Sequence, residues 1–203
     1  MKTNLILGIG TGRCGTLWLH DFIKAYIPHI TSESCKLGWY YDGQFDLSIE
    51  PMKTWSKTEI ACDVGFLTLP HIEKLSKYFN IKIIILQREK EATIKSFLNW
   101  TNIKHNYWIN HKSDCFYERD GWDIYFPKFN DFEYREKRDV ISEYYDYYYD
   151  LCNKLENKYD IIWIKTEDLD NLETQKKILT FLDIPMTEIK NTECRKNSGF
   201  INK

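Results

Sequence analysis

Apolar residues in this chain fall into short runs separated by stretches of helical periodicity. Leu5 to Ile9 is a brief apolar run that predicts a buried strand. Beyond a glycine-rich stretch, Leu17, Phe22, Ile23 and Tyr26 suggest a helix, which Pro28 is expected to close. Residues 60–67 (IACDVGFL) predict a second strand. Pro70, at a first helical position, then opens a helix with Ile72, Leu75 and Phe79 on one face. The run IKIIIL, Ile81 to Leu86, is β-branched and nearly unbroken, as a strand covered on both faces would be. A helix is expected from about Glu91 to Trp100.

Residues 102–135 are aromatic, polar and aperiodic, and read as a long excursion of the kind that serves as a lid or binding segment. A helix over roughly 134–157 would place Ile141, Tyr144, Tyr148, Leu151 and Leu155 on one stripe. Within it, the run YYDYYYD is expected to bury one tyrosine face and expose the other. DIIWIK, Asp160 to Lys165, is a further strand. Asp170 with Glu173 forms a capping box for a helix ending near Leu182. Strands alternating with helices predict an α/β single domain, with a mostly parallel central sheet flanked by helices.

The chain has 203 residues, 28 Lys+Arg and 30 Asp+Glu, for a formal net charge of -2. That length allows a core hiding roughly 70% of the unfolded surface, so no disulfide or metal staple is required. Balanced charge gives no global basic field for nucleic acid or membrane, but permits a local basic pocket. The six cysteines are scattered singly, which predicts reduced thiols and a cytoplasmic protein. Gly8, Gly10, Gly12 and Arg13 interrupt the first apolar run, so no export signal is expected. No apolar run approaches the roughly 20 residues of a membrane span. His105, His111 and Cys115 have a spacing that fits no usual zinc pattern, and no metal is expected. The aromatic share, 16%, is high and needs a place in the fold.

Chemistry concentrates in LILGIGTGRCGTLWL, Leu5 to Leu19, where a strand, a glycine-rich turn and a helix start coincide. Glycines let main-chain amides approach phosphate oxygens, and the helix N-terminus adds partial positive charge. The bland alternative is a glycine turn that joins strand to helix and binds nothing. A nucleoside-triphosphatase loop needs Gly-Lys-Ser/Thr at its end, for the terminal phosphates and magnesium. Here Gly15 is followed by Thr16 and Leu17, so the lysine is missing and the leucine cannot ligate a metal. Gly10, Gly12 and Gly15 match a dinucleotide-binding register, but no acidic residue clearly closes a second strand about twenty residues on.

The run Gly12-Arg13-Cys14-Gly15-Thr16-Leu17-Trp18 resembles the phosphosulfate-binding loop of sulfotransferases, whose donor is 3′-phosphoadenosine 5′-phosphosulfate (PAPS). A second likeness is independent of the first. IKIIIL runs into Arg88, and Ser96 follows eight residues later, as do the arginine and serine that bind the donor's 3′-phosphate in that family. IKTEDLDN after the last strand resembles a structural segment of the family. Cys194-Arg195-Lys196 resembles the stretch that folds over the 3′-phosphate, although Asn197 and Ser198 interrupt it. The likeness runs in order from residue 5 to about 199. It implies a single domain over 1–203 with a P-loop-kinase-like sulfotransferase fold, PAPS as donor, adenosine 3′,5′-bisphosphate as product and no metal.

The resemblance implies that Arg13, Cys14, Gly15, Thr16 and Leu17 hold the 5′-phosphosulfate, that Trp18 stacks on adenine, and that Arg88, Ser96, Arg195 and Lys196 take the 3′-phosphate. The ordinary alternatives are a core tryptophan, a strand-end ion pair of Arg88 with Glu89 or Glu91, and a solvated basic tail. Arg13 stands where members carry lysine; a guanidinium neutralises charge but is a poor proton donor. The histidine that cytosolic members use as base is absent here. Asp63 is the nearest ionisable group at that offset, and Glu33 matches a glutamate other members use, so the two share the assignment. The acceptor is expected to be a carbohydrate or small hydroxyl or amine compound, with 102–135 as its lid. A phosphotransferase with a degenerate loop and a non-catalytic nucleotide-binding module are the competing readings.

Overall fold

The computed structural model describes residues 3–27, 30–32, 60–103, 127 and 136–185. Five strands form one sheet: β1 (Thr3–Ile9), β2 (Ile30–Ser32), β3 (Ala61–Val64), β4 (Phe79–Gln87) and β5 (Asp160–Lys165). Their order is β2-β3-β1-β4-β5. Every pairing is parallel, with Leu5 opposite Ala61 on one side of β1 and opposite Ile81 on the other. The helices are α1 (Thr16–Lys24), α2 (Ile72–Leu75), α3 (Lys90–Ile103), α4 (Lys137–Asn153) and α5 (Leu172–Phe181). One-turn 3₁₀ segments cover Leu69–His71 and Thr166–Asp168.

Alternation along the strands divides the core in two. Leu5, Leu7, Ile9, Ile81, Ile83 and Ile85 meet α3 and α4 through Phe97, Ile141, Tyr144 and Tyr148. Ile6, Cys62, Val64, Ile84, Leu86 and Ile164 meet α1 and α5 through Leu19, Phe22, Ile23, Ile178 and Leu179. Helices on both faces explain why β4 is apolar at successive positions: neither side is solvated. The chain leaves β1 for β2 and β3 on one side and reaches β4 on the other. Strand order therefore reverses at β1, and in such sheets the crevice beyond the carboxyl ends at this reversal is where ligands bind.

The α/β class, the parallel sheet and all the sequence-predicted strands are present, and three local expectations are corrected. Phe79 opens β4 instead of closing the preceding helix, because α2 stops after one turn at Leu75. The cap of α5 is Asn171 in place of Asp170: its extended backbone lets its side chain accept from the Glu173 N–H at 2.8 Å. Leu17 is 52% exposed, because Trp18 and Leu19 occupy the sheet-facing side of α1. The helix expected over 134–157 spans 137–153 and buries Tyr144, Tyr145, Tyr148 and Tyr149 while Tyr147 faces outward. Pro28, the zinc-excluded His105, His111 and Cys115, and nearly all of 102–135 lie outside the described residues.

Candidate functional site

The loop after β1 owes its shape to residues in the left-handed region: Gly12 at φ 83°, Arg13 at 57° and Gly15 at 93°. For Arg13, which carries a Cβ, that conformation costs roughly 1–2 kcal/mol, so the surroundings must hold it. They do so through the loop's carbonyls, each of which has a donor from Thr11 to Gly15. Tyr144 donates its hydroxyl to the Thr11 carbonyl at 2.9 Å, and Thr11 Oγ1 donates to the Gly12 carbonyl at 3.0 Å. Arg88 Nη1 donates to the Arg13 carbonyl at 3.0 Å. Thr166 Oγ1 reaches the Cys14 carbonyl at 2.6 Å, and the Leu19 N–H reaches that of Gly15 at 3.0 Å.

Carbonyl oxygens are the negative ends of peptide dipoles. With this set committed to donors of the protein, the loop is free to turn N–H groups toward an anion. Helix α1 begins at the loop's end with Gly15 as N-cap. No side chain caps it and no acidic residue stands in its first turn. Its first N–H groups therefore keep their positive end open for a ligand.

Two of the foreseen site residues, Ser96 and Arg88, meet at Arg13. Arg13 Nε donates to Ser96 Oγ on α3 at 3.3 Å, and its guanidinium lies 5.9 Å from the Trp100 ring centroid, in cation–π range. Arg88, at the end of β4, touches the Arg13 carbonyl. The strand-end ion pair considered for Arg88 does not form among the described residues. The Glu89 carboxylate instead accepts from the N–H groups of Glu91 (2.9 Å) and Ala92 (2.6 Å), and Glu91 pairs with Arg138. Those two N–H groups hold the Glu89 carboxyl below its ordinary value of 4.5.

Thr16 and Cys14 are buried. Burial pushes the Cys14 thiol up to about 11, so it is a protonated packing group and no nucleophile near neutral pH. Trp18 is 8% exposed and stacks on Phe22, with centroids 5.0 Å apart and planes 13° from parallel. One indole face is thus taken by the core, and a base could stack only on the other. Its Nε1–H is buried without an acceptor among the described residues. Asp63 on β3 is 1% exposed and accepts from Thr68 Oγ1 at 3.0 Å. Glu33, Arg195 and Lys196 lie outside the described residues.

The residues that sequence reasoning did not find are Trp100, Thr166, Tyr144 and Tyr145, the last of which donates to the Arg88 carbonyl at 2.6 Å. The tyrosine run was a visible signal for two of them, but its role is set by a fold that brings α4 over the loop. Among the described residues no group of three or more His, Cys, Asp or Glu is arranged to hold a metal ion, and no helix is long and apolar enough to cross a membrane.

Comparison with known proteins agrees with this geometry at the level of fold. The mouse sulfotransferase SULT7A1, solved in complex with PAP, superposes with a TM-score of 0.51 at 18% identity, covering 91% of this chain. This chain spans 61% of that enzyme's chain. The sulfotransferase domain from the curacin biosynthetic pathway superposes with a TM-score of 0.56 at 12% identity, covering 93% of this chain and 76% of the other. A Janibacter sp. HTCC2649 sugar kinase aligns at 0.49 and 11% identity. No protein-family model and no curated protein matches the sequence. The fold is of the sulfotransferase type.

Proposed function

We propose that this chain is a PAPS-dependent sulfotransferase, moving a sulfuryl group to a hydroxyl or amine of a carbohydrate or small-molecule acceptor. The observation that carries the reading is the loop itself. The carbonyls from Thr11 to Gly15 all have donors, and Arg13, Arg88 and Ser96 gather at the loop. The fold of two sulfotransferases, one of them holding PAP, supports it.

In this reading the main chain of Cys14 to Leu17 and the Thr16 hydroxyl hold the 5′-phosphosulfate, and Arg13 neutralises charge that grows there. Arg88 and Ser96 take the 3′-phosphate, Arg88 through the N–H groups left over by its bond to the Arg13 carbonyl. Arg195 and Lys196 join them by resemblance. The bound donor supplies the sulfuryl group and the leaving phosphate. The chain's part is to orient, to balance charge and to remove the acceptor proton, for which Asp63 and Glu33 stand as bases.

Thermal shift tests the cofactor. Adenosine 3′,5′-bisphosphate without metal is expected to stabilise the protein more than ATP with magnesium, and Arg88→Ala to cut the bisphosphate affinity about 10- to 100-fold. Labelled sulfate transfer over an acceptor panel then tests catalysis. Stabilisation by ATP with magnesium alone would turn the reading toward phosphotransfer.

A further inference from the structure

The row of buried tyrosines on α4 touches the site through Tyr144 and Tyr145 but extends beyond it. Tyr144, Tyr145, Tyr148 and Tyr149 all point inward, and each hydroxyl donates to a main-chain carbonyl across the sheet. Packing alone does not require those hydroxyls. Phenylalanine would fill nearly the same volume without a buried polar atom in need of a partner. The acceptors are specific. Thr11 lies beyond the end of β1 at Ile9, and Arg88 lies beyond the end of β4 at Gln87, so neither carbonyl has a place in the strand ladder. Phe66 lies past the end of β3, and Tyr148 reaches its carbonyl at a longer 3.3 Å. Leu86, the acceptor of Tyr149 at 2.7 Å, is still inside β4, where its pairing with Ile164 of β5 already fixes the backbone.

We propose that Tyr144 and Tyr145 are positioning residues that set the distance between the anion-binding loop and Arg88. The inference rests on the reading of that loop and Arg88 as the PAPS site. The two tyrosines are neighbours on one helix, so they hold the Thr11 carbonyl and the Arg88 carbonyl from a single rigid bar. Residues 11 and 88 flank a direct bond between the two halves of the site, Arg88 Nη1 to the Arg13 carbonyl, which stands beside the bond from Arg13 Nε to Ser96 Oγ. The bar is itself fixed: Tyr144 packs edge-on to Phe97 at 6.0 Å and to Tyr148 at 5.8 Å, and Lys90 of α3 pairs with Asp146 of α4. Phe97 in turn borders Gly12 of the loop. A tyrosine helix at this place therefore transmits the position of α3, which carries Ser96, to both phosphate-facing segments. This assigns a role to part of the aromatic content.

The test compares Tyr144→Phe, Tyr145→Phe and Tyr149→Phe in the full chain, each keeping its ring. Two readouts are used: hydrogen exchange of the main chain over 11–16 and 88–92, and affinity for adenosine 3′,5′-bisphosphate. Tyr144→Phe is expected to speed exchange in 11–16, and Tyr145→Phe in 88–92. Each is expected to weaken the bisphosphate about 5- to 30-fold and to raise KM for the donor while KM for the acceptor stays put. Tyr149→Phe is expected to lower Tm by a similar amount but to leave both segments and the affinity at wild-type values. Unchanged exchange in Tyr144→Phe and Tyr145→Phe, or an equal loss of affinity in Tyr149→Phe, overturns the proposal. Should Tyr144→Phe fail to fold, the partly buried Tyr145 decides it alone. If the wild-type protein ignores the bisphosphate, the functional reading fails, while the exchange data still judge the positioning role.

Discussion

Replacing Gly10 with alanine is the sharpest probe of the loop's packing. A Cβ built there lies 2.4 Å from Cys14 Sγ and 2.8 Å from the Leu86 carbonyl oxygen, both inside contact distance. Neither neighbour can step aside easily. Cys14 is fully buried, and the Leu86 carbonyl sits in a strand paired on both sides and accepts the Tyr149 hydroxyl. Overpacking of this kind costs typically about 1–3 kcal/mol. At about 2–4 °C per kcal/mol for a domain of this size, Tm should fall by about 2–12 °C. The two clashes are separable. Adding Cys14→Ala removes the sulfur contact but not the carbonyl one, so the double variant should lose about 1 kcal/mol less than the sum of the singles. It should still fall short of Cys14→Ala alone. Urea unfolding followed by fluorescence gives all three values. A Gly10→Ala within about 0.3 kcal/mol of wild type, or strict additivity in the double variant, would refute the reasoning.

Arg13→Gly should be about 1 kcal/mol more stable than Arg13→Ala, since only glycine is at ease at φ 57°, while both lose sulfuryl transfer; equal stabilities in urea would argue against the strain. For Glu89 the carboxyl is held low in the folded state, so its contribution is present above the ordinary value of 4.5 and disappears as pH falls through the lower folded value. The Tm gap between wild type and Glu89→Ala should therefore be full at neutral pH and close in strong acid; a gap independent of pH contradicts the cap. Asp63→Asn and Glu33→Gln, singly and together, should leave bisphosphate affinity within about threefold, and the one that carries the base should slow transfer by about 100-fold or more. Undiminished transfer in the double variant removes both carboxylates from the mechanism. Cys14 should stay unmodified by N-ethylmaleimide in native protein near about pH 8 and react on unfolding, which peptide mass spectrometry reads directly.

What the sequence made legible was set by local chemistry. IKIIIL announces a strand buried on both faces, because nothing but helices on either side could cover it, and β4 is that strand. The glycine run announces a turn into a helix, because positions 12 and 15 need positive φ. Arg88 and Ser96 stood out only through a resemblance, which casts them as holders of the donor's 3′-phosphate; the fold brings both to Arg13. What stayed hidden depends on distant segments meeting. Thr166 closes the Cys14 carbonyl across 152 residues of chain, and Tyr144 reaches Thr11 across 133. The exposed Leu17 shows the limit in the other direction. Its apolar character suits a core position, but α1 turns Trp18 and Leu19 inward and leaves Leu17 outside.

A chain of net charge -2 can still build a cationic pocket, and the acidic residues near Arg88 show how. Glu89, Glu91, Asp146 and Glu167, on the elements around it, are each spoken for by something else. Glu89 caps α3 through the N–H groups of Glu91 and Ala92. Glu91 pairs with Arg138, Asp146 with Lys90, and Glu167 accepts the Glu89 N–H. None of them forms an ion pair with Arg88 among the described residues, although Glu89 is its immediate neighbour in sequence. Coulomb attraction would favour that pairing, but a carboxylate exposed to water gains little from an ion pair and more from two aligned main-chain donors at a helix start. In the proposed site the charge of the Arg88 guanidinium is thus left for the donor's phosphate, and among the described residues its bond goes to the neutral Arg13 carbonyl. Global charge measures what the surface shows to distant solutes. The field inside this crevice is set by which local donors claim the carboxylates first.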